Sequence, residues 1–424
     1  MNLLDLLISY RFVVCLLTFI ATGLTYASRV ALSVAIVAMT VPIPHKTNDT
    51  EYECTVSGNN TNVNSKGTFK WDETTQAWVL SGFYYGYSIL QIPSGACEAS
   101  VFSAMLVLFS HWCCTFESTT YIGIAMSGCY VGTMASQLAC GYLSQLTWLD
   151  GWPLPFYILG IVGIIWCGFW YAFVKETPSE CKFISDTEKE YIINNGNNSP
   201  RVYRKIPWIK ILTCLPLFGT LFGSCALSFN TYVIMSSYPT FLSNVFGINI
   251  QSNGILNAFP FLSFYFGTVI FSYVTDLLRT RLLSTKWSRI LVFTFGTLLS
   301  SLCNALVKTL NCNLQGVETL ICISLFFCAA MQQIAPNLVE MFPIHLGIAY
   351  GIMSTVSNAM GILSPYIADI FTQSNIHSRT QWQNVFYFDD GLMLIFGLIF
   401  VVLISDQPQV SEEYSPMTSL LSHN

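Results

Sequence analysis

One arginine lies inside an otherwise apolar stretch near the start of the chain, and its chemistry suggests a site for an anion. Arg29 falls within a run of mostly apolar residues from about 12 to 41. A charge in the middle of a membrane helix costs about 3 to more than 10 kcal/mol, so it must face a cavity or a partner. A guanidinium stays charged and grips a carboxylate or phosphate with two parallel hydrogen bonds. We therefore expect Arg29 to bind an anion; the alternative is a structural arginine paired with a neighbouring acid or carbonyl.

Further polar groups lie at apolar depth, where we expect them to line a cavity between two groups of helices. The predicted cavity residues are Tyr84, Tyr85, Tyr87, Asn230 and Tyr232. The alternative for each is packing or placement at the membrane interface, where aromatic side chains are common. Gln332, Gln333 and Asn337 are similar in character, and hydrogen bonding between helices is the role we expect for them.

The composition places these residues in a membrane. Of the 424 residues, 53% are hydrophobic and 10% are charged, whereas about a quarter of an ordinary soluble domain is charged. A helix needs about 20 mostly apolar residues to cross the hydrocarbon core. The sequence predicts about ten spans, at residues 12–41, 76–112, 119–146, 155–174, 211–242, 253–275, 290–307, 318–339, 346–371 and 386–404. The predicted fold class is therefore an all-α polytopic membrane protein.

The loops between these spans indicate how the chain is oriented. Segment 46–73 is polar and carries two glycosylation sequons, at Asn48 and Asn59, which are used only in a lumenal or extracellular loop. This predicts a cytosolic N-terminus, and counting the spans then places 175–210 and 276–289 in the cytosol. Those two segments hold seven and four of the 18 Lys and Arg residues. The positive-inside rule therefore supports the same topology.

The long polar segment divides the chain in the way expected of two-bundle transporters. We predict a shortened N-terminal helical bundle (1–174), a cytosolic linker (175–210), a C-terminal six-helix bundle (211–405) and a disordered cytosolic tail (406–424). Span 76–112 is unusually long, at roughly 55 Å if it is one helix. Pro93 and Gly95 are expected to break or kink it.

Several function classes are excluded by the same observations. The formal net charge is -5 and the basic residues gather in loops, so nucleic acid is not an expected partner. Most of the 15 cysteines lie inside apolar runs, which predicts small buried hydrophobes and no disulfide framework. We find no nucleophile with a neighbouring base, no metal cluster and no phosphate loop. The chain is therefore predicted not to be an enzyme and to need no cofactor beyond a coupling ion.

Motifs spread over nearly the whole chain resemble those of a known transporter family. Residues 28–39, with the sequence SRVALSVAIVAM, are similar to the first-helix signature of the family that contains sialin, the sodium/phosphate cotransporters and the vesicular glutamate transporters. The similarity continues at 69–73 (FKWDE), 83–87 (FYYGY), 91–93 (QIP), 276–279 (DLLR) and 381–387 (QWQNVFY). The chain thus resembles these anion:cation symporters, which belong to the major facilitator superfamily.

The resemblance implies a major facilitator fold with two helical bundles. Relatives have twelve spans, but helix 3 and the adjoining half-helices are missing here. Residues 97–100 look like the later part of helix 4 joined directly to Gly95 of helix 2. This junction accounts for the overlong span and predicts about ten transmembrane helices instead of twelve.

The resemblance also assigns roles to individual residues. The arginine matched by Arg29 is associated with substrate binding in the family. Glu98 matches a helix 4 glutamate linked to proton coupling, and the alternative is an ordinary solvated acid near the interface. Asp276, Arg279 and Arg281 resemble the cytosolic gate motif, with solvated loop charge as the alternative.

These features predict a secondary active transporter of small organic or inorganic anions, working by alternating access and coupled to a proton (H+) or sodium (Na+) gradient. The expected substrates are acidic sugars of the kind that the resemblance to sialin implies, other organic anions and phosphate. Leu227 stands where the vesicular glutamate transporters have an arginine, which disfavours glutamate. The alternative is a shortened, non-transporting membrane protein that regulates or pairs with a full-length relative. Lysosomal, vesicular or plasma membrane is the expected location, with both termini cytosolic.

Overall fold

The regular structure of the chain is helical. A computed structural model describes residues 9–40, 53–54, 68–72, 74–82, 105, 108–109, 111–113, 118–146, 151–195, 207–342 and 346–407. Within these ranges no strand is present, and Thr40 and Phe69 form an isolated bridge. The predicted all-α fold class is confirmed.

The helices fall before and after a short linker region. The first group contains α1 (Tyr10–Met39), a helical segment at 74–82, α2 (Ser118–Leu143) and α3 (Leu154–Phe173). The linker carries α4 (Asp186–Asn195) and α5 (Trp208–Leu212). The second group contains α6 (Leu215–Tyr232), α7 (Tyr238–Phe246), α8 (Ile250–Arg281), α9 (Thr285–Leu306), α10 (Leu314–Cys328), α11 (Ile334–Met341), α12 (Leu346–Asn358), α13 (Met360–Thr372) and α14 (Arg379–Leu403). We call the two groups the N-terminal and C-terminal halves.

Eight helical stretches in the described residues are long and apolar enough to cross a membrane. Two of them are α1 and α3, and the other six make up the C-terminal half, where consecutive helices such as α6 and α7 continue one another. Helix α2 is less apolar and is not one of these eight stretches. Its 26 residues nevertheless pack along α1 and form a helix about 39 Å long, which is enough to cross the membrane. These nine helices correspond to nine of the ten predicted spans; the overlong span 76–112 lies mostly outside the described residues.

The two long helices of the N-terminal half approach each other closely because small residues face each other. A Cβ atom added to Gly128 would lie 2.2 Å from the Phe19 carbonyl oxygen, and one added to Gly132 would lie 2.1 Å from that of Gly23. Glycines four residues apart let two membrane helices approach to backbone contact. The contact between α1 and α2 therefore requires glycine at both positions.

The C-terminal half has a larger apolar core built from aromatic side chains. Phe293 of α9 and Phe400 of α14 have ring centroids 4.5 Å apart, and Phe241 of α7 packs edge-on against Phe386 of α14 at 5.8 Å. All four side chains are buried. These contacts hold α14 against its neighbours and make the half a rigid support for the polar groups described below.

The first span of the C-terminal half changes helix type near its middle. Residues Val233–Ser237 form a π-helical turn between α6 and α7. Such turns are rare inside helices and occur frequently at functional sites. The change begins directly after Tyr232, one of the residues predicted to line a cavity.

Phe69, in the segment 69–73 that resembles a family motif, packs against Trp152 at one end of the N-terminal half. Phe69 stacks on Trp71 with ring centroids 4.6 Å apart, and it meets Trp152 at 5.7 Å. The Asp72 carboxylate accepts hydrogen bonds from Thr75 at the start of segment 74–82, and these bonds lower the pKa of Asp72. The motif therefore closes the loop end of the half and starts the next helix.

A disulfide joins the two halves, which the sequence reasoning did not anticipate. Cys54 lies in the loop after α1, and it bonds to Cys312, 258 residues later, between α9 and α10. Cys54 also donates its backbone N–H to the Val245 carbonyl oxygen. The predicted topology places both loops on the same, non-cytosolic side, where disulfides persist. The cysteines predicted inside apolar runs are free, as expected.

Candidate functional site

Arg29 lies in the contact between the two halves. Its side chain is 6% exposed, although it follows nearly twenty helical residues of the membrane-spanning α1. The Arg29 Nη1 donates to the Tyr232 hydroxyl oxygen of α6 at 3.2 Å. The guanidinium carbon also lies 4.9 Å from the Tyr26 ring centroid. Arginine over a tyrosine ring is attracted by the π-electrons and stays charged there.

The hydrogen bonding continues from Tyr232 into α12. The Tyr232 hydroxyl donates to the Asn358 side-chain oxygen, and the Asn358 amide nitrogen donates to the Ser354 carbonyl oxygen at 2.7 Å. Asn358 is therefore held by its own helix and fixes the direction of the Tyr232 proton. The Tyr232 oxygen is left to accept from Arg29, and the resulting chain connects α1, α6 and α12.

Two other buried arginines have contacts of a different kind. Arg11, at the start of α1, makes an ion pair with Glu188 of α4 at 3.0 Å. Arg289 of α9 grips both oxygens of Glu340, at 2.5 and 2.7 Å. Those two guanidinium groups are held by carboxylates, whereas the described contacts of Arg29 are with tyrosines. A tyrosine hydroxyl is a neutral partner that an anion can replace.

Further polar contacts cross between the halves. Gln332 donates to the Tyr130 hydroxyl at 3.0 Å, and Thr74 donates to the Asp369 carboxylate at 3.2 Å. A small cleft lies between segment 74–82 and α13, and its lining includes Gln76 and Asp369. The interface between the halves is therefore partly polar, unlike the cores of the halves.

Asn230 has different surroundings from Tyr232. Residues two apart on a helix point about 200° away from each other. Asn230 is fully buried, and its amide donates to the Asp389 carboxyl of α14 at 2.6 Å. The structure thus brings Arg29 and Tyr232 together and places Asn230 inside the C-terminal half.

The three predicted gate residues lie at the end of α8. Arg279 is 3.7 Å from Glu340, which is the same carboxylate that Arg289 holds. Asp276 and Arg281 are exposed and make no ion pair with another described residue. One of the three residues therefore joins a charged cluster that links α8, α9 and α11.

The remaining predicted residues divide between described and undescribed parts of the chain. Asn337 is fully buried and donates to the Ser405 carbonyl oxygen at 2.7 Å, and Gln333 is also buried. The expected role of these side chains in holding helices together matches the Asn337 contact. Six predicted residues lie outside the described ranges: Tyr84, Tyr85, Tyr87, Glu98, Asn48 and Asn59.

Sequence reasoning missed several polar residues that the structure brings into contact. Asn358 gave no motif, and its role depends on which face of α12 meets Tyr232. Glu318, which is 9% exposed and accepts from the Tyr238 hydroxyl at 2.6 Å, was also missed. Asp389 and Asp390 had a visible signal, because two adjacent acids interrupt the apolar run of α14.

The chain matches a family model over most of its length. The model for the Major Facilitator Superfamily matches residues 89–365 and 220–422. Among solved structures, a bacterial homolog of the human lysosomal transporter Spinster, in an inward-facing and unoccupied conformation, superposes with a TM-score of 0.61 at 13% identity. The match covers 93% of this chain and 97% of that protein, and it shows the fold.

Curated relatives narrow the family further. Sialin of Ovis aries is 28% identical, covering 94% of this chain and 89% of sialin. A putative inorganic phosphate cotransporter of Drosophila ananassae is 24% identical, covering 92% of each. Vesicular glutamate transporter 1 of Xenopus tropicalis is 25% identical, covering 92% of this chain and 74% of that protein. The chain is therefore a membrane transporter that belongs to the Major Facilitator Superfamily and is related within it to sialin, the phosphate cotransporters and the vesicular glutamate transporters.

Proposed function

We propose that the chain carries small organic or inorganic anions across a lysosomal, vesicular or plasma membrane by alternating access, driven by a proton or sodium gradient. The observation that carries the proposal is the hydrogen bond from Arg29 of one half to Tyr232 of the other. An anion that enters between the halves would replace the tyrosine oxygen as the acceptor. Binding would then be tied directly to the contact between the halves.

The surroundings of Arg29 favour an anion over a neutral solute. The guanidinium is buried, so it is not screened by bulk water, and a carboxylate or phosphate would accept two of its N–H groups. Tyr26 and Asn358 beside it are half-buried, so polar groups of a substrate have partners at the rim. Phosphate and glutamate appear in the names of relatives, and acidic sugars are a third candidate; Leu227 favours phosphate and acidic sugars.

Three further assignments belong to this proposal. Glu98 is proposed to carry a coupling proton, and Asp276, Arg279 and Arg281 to act in a cytosolic gate. The contact between Arg279 and Glu340 supports the gate, since an ion pair at 3.7 Å can form in one conformation and break in another. Asn48 and Asn59 are proposed glycosylation sites, in a loop whose Cys54 is disulfide-bonded.

The test is uptake of radiolabelled phosphate, glutamate and an acidic sugar into proteoliposomes, with imposed pH or sodium gradients. We expect Arg29→Ala to reduce uptake of the transported anion by about thirtyfold or more, since losing a buried charge-assisted contact costs roughly 2 to 5 kcal/mol. Arg29→Lys keeps the charge and loses the planar fork, so its uptake should be intermediate. Lys308→Ala, which removes an exposed cation, is the matched control.

Two outcomes would contradict the proposal. Unchanged uptake in Arg29→Ala would remove Arg29 from the binding site. If the wild-type protein takes up none of the anions under any gradient, anion transport itself is wrong.

A further inference from the structure

Two adjacent aspartates lie inside the C-terminal half, in a region the proposed anion site does not use. Asp389 is fully buried and Asp390 is 7% exposed, near the middle of the 25-residue α14. Helix α14 packs against α6, α9 and α13. Ionisable residues within a membrane span are rare because an uncompensated charge is expensive there. Two in succession therefore require an explanation.

Each aspartate is bonded to an asparagine from a different helix. Asn230 of α6 donates its amide N–H to Asp389 Oδ2 at 2.6 Å. Asn304 of α9 donates its amide N–H to Asp390 Oδ1 at 3.2 Å. Both asparagines are fully buried. The two aspartates thus form two amide–carboxyl pairs that join three helices.

In each pair, one amide oxygen and one carboxyl oxygen lack a hydrogen-bond donor among the described residues. In the described part of the chain, the amide oxygens of Asn230 and Asn304 have no hydrogen-bond partner, and neither do Asp389 Oδ1 and Asp390 Oδ2. All four atoms are acceptors while the carboxyl groups are ionised. A proton on the carboxyl group converts one of its oxygens into a donor, which the neighbouring amide oxygen can accept. The missing component of each pair is therefore one proton.

The charged groups around the pairs do not supply a countercharge. Cys328 of α10 lies near Asp389, and Cys303 of α9 lies near Asp390. Lys308, after α9, is exposed, and no ion pair among the described residues includes either aspartate. The two aspartates are adjacent in the chain, so a charge on one raises the cost of a charge on its neighbour.

We propose that the pair of Asn230 and Asp389 and the pair of Asn304 and Asp390 form a proton-binding site inside the C-terminal half, which holds protons in this conformation and exchanges at least one during transport. The exchange step rests on the proposed transport function, whereas the binding of protons does not. The ligand is a proton because the unsatisfied atoms need a hydrogen-bond donor and two carboxyl groups need neutralising.

Helix α6 connects this site with the anion site. Asn230 contacts Asp389, and Tyr232, two residues later on the opposite face, contacts Arg29. The π-helical turn Val233–Ser237 follows immediately. Loss of a proton from Asp389 would leave a charge beside Asn230, and a shift of α6 that solvates this charge would move Tyr232 relative to Arg29. Proton exchange and anion release would in this way share one helix.

Infrared spectroscopy of the protein in liposomes tests the binding of protons independently of transport. We expect the wild-type protein at pH 7 to show a carboxylic-acid C=O band that Asp389→Asn and Asp390→Asn each weaken. Asn230→Val keeps both acids and should shift the band, which provides a second test if an aspartate variant does not fold. Asp186→Asn, an exposed acid of α4, is the matched control and should leave the band unchanged. Spectra of the three variants Asp389→Asn, Asp390→Asn and Asn230→Val identical to wild type would overturn the proposal.

Uptake under an imposed pH gradient tests the exchange. Each pH unit supports about tenfold more accumulation per coupled proton. We expect Asp389→Asn to bind anion and exchange it across the membrane but to lose the gradient response, so that uptake with and without the gradient is about equal. A gradient response equal to wild type would overturn the exchange step. If the wild-type protein transports no anion, the transport proposal fails, and the infrared band still decides whether the protons are bound.

Discussion

The two faces of α6 place polar groups in contrasting surroundings. On one face, Tyr232 joins Arg29 of the N-terminal half to Asn358 of α12. On the other face, Asn230 bonds to Asp389 within the C-terminal half, and both side chains are fully buried. The first contact links helices of different halves, which would separate under the proposed alternating access, whereas the second links helices of one half.

Burial alone therefore does not identify a functional group, since both Arg29 and Asn230 are buried. Under the proposed alternating access, a contact between the halves breaks in each cycle, so it needs groups that water or an anion can replace. A contact within a half persists, so breaking it reduces the stability of the fold. We therefore expect substitutions at contacts between the halves to change transport with little change in stability. Substitutions within a half should reduce stability, and at Asn230 and Asp389 the proposed proton exchange should change as well.

Replacing a glycine at a close helix contact should have the largest effect on the free energy of unfolding. Gly132→Val places side-chain atoms against the Gly23 backbone within the N-terminal half, where a Cβ atom would lie 2.1 Å from the carbonyl oxygen. We expect the free energy of unfolding to fall by about 3 kcal/mol, the upper end of the overpacking range. Gly254→Val of α8 meets the backbone of Gln137 across the halves, at 2.5 Å. There the halves can part, so uptake should fall with less change in thermal unfolding; equal destabilisation by the two variants would contradict the comparison.

Removing the buried side-chain amide of Asn230 should have the next largest effect on the free energy of unfolding. Asn230→Leu leaves the Asp389 carboxyl without its donor, and we expect the free energy of unfolding to fall by about 2 kcal/mol. Thermal unfolding in detergent measures the change. Thr231→Val, whose hydroxyl bonds within its own helix, is the control and should shift stability far less. In an Asp389→Leu background the Asn230→Leu change should cost less, and full additivity would argue against the contact.

Substitution of Tyr232, on the face of α6 that meets the N-terminal half, should change anion uptake more than stability. Tyr232→Phe removes the hydroxyl between Arg29 and Asn358, and we expect anion uptake to change by about fivefold, equivalent to about 1 kcal/mol. Unfolding should be nearly unchanged, since the site is one that must open. Tyr273→Phe, on an exposed side chain of α8, is the matched control. A loss of stability as large as that of Asn230→Leu would remove the distinction between the two faces.

The disulfide is expected to have the smallest effect on transport. Cys54 and Cys312 join the halves, but Cys54 lies 15 residues after the last residue of α1 in the chain. We expect Cys312→Ser to change uptake by less than about twofold, or about 0.4 kcal/mol. With a protease site inserted at 196–206, the cleaved halves should stay together on a non-reducing gel and separate after reduction. Separation without reductant would show that the bond does not form.

Much of the architecture was predictable because hydropathy is a local property. The apolar runs predicted nine of the spans found, often within a few residues, as at α3, predicted from 155 to 174 and found as Leu154–Phe173. Helix α2 was predicted from its length of apolar sequence, although its many small and hydroxyl residues lower its hydropathy. Arg29 was found because a single charge in an apolar run is conspicuous in one dimension.

The membrane class, the order of the spans and the resemblance to anion transporters could be read from the order of the amino acids. The contacts of Tyr232 with Arg29, of Asn230 with Asp389 and of Cys54 with Cys312 could not, and neither could the role of Asn358 in orienting Tyr232. Membrane spans are predictable because the free energy of placing a segment in lipid sums over neighbours in the chain. A hydrogen bond or disulfide, in contrast, depends on helix rotation and on which distant helix packs alongside.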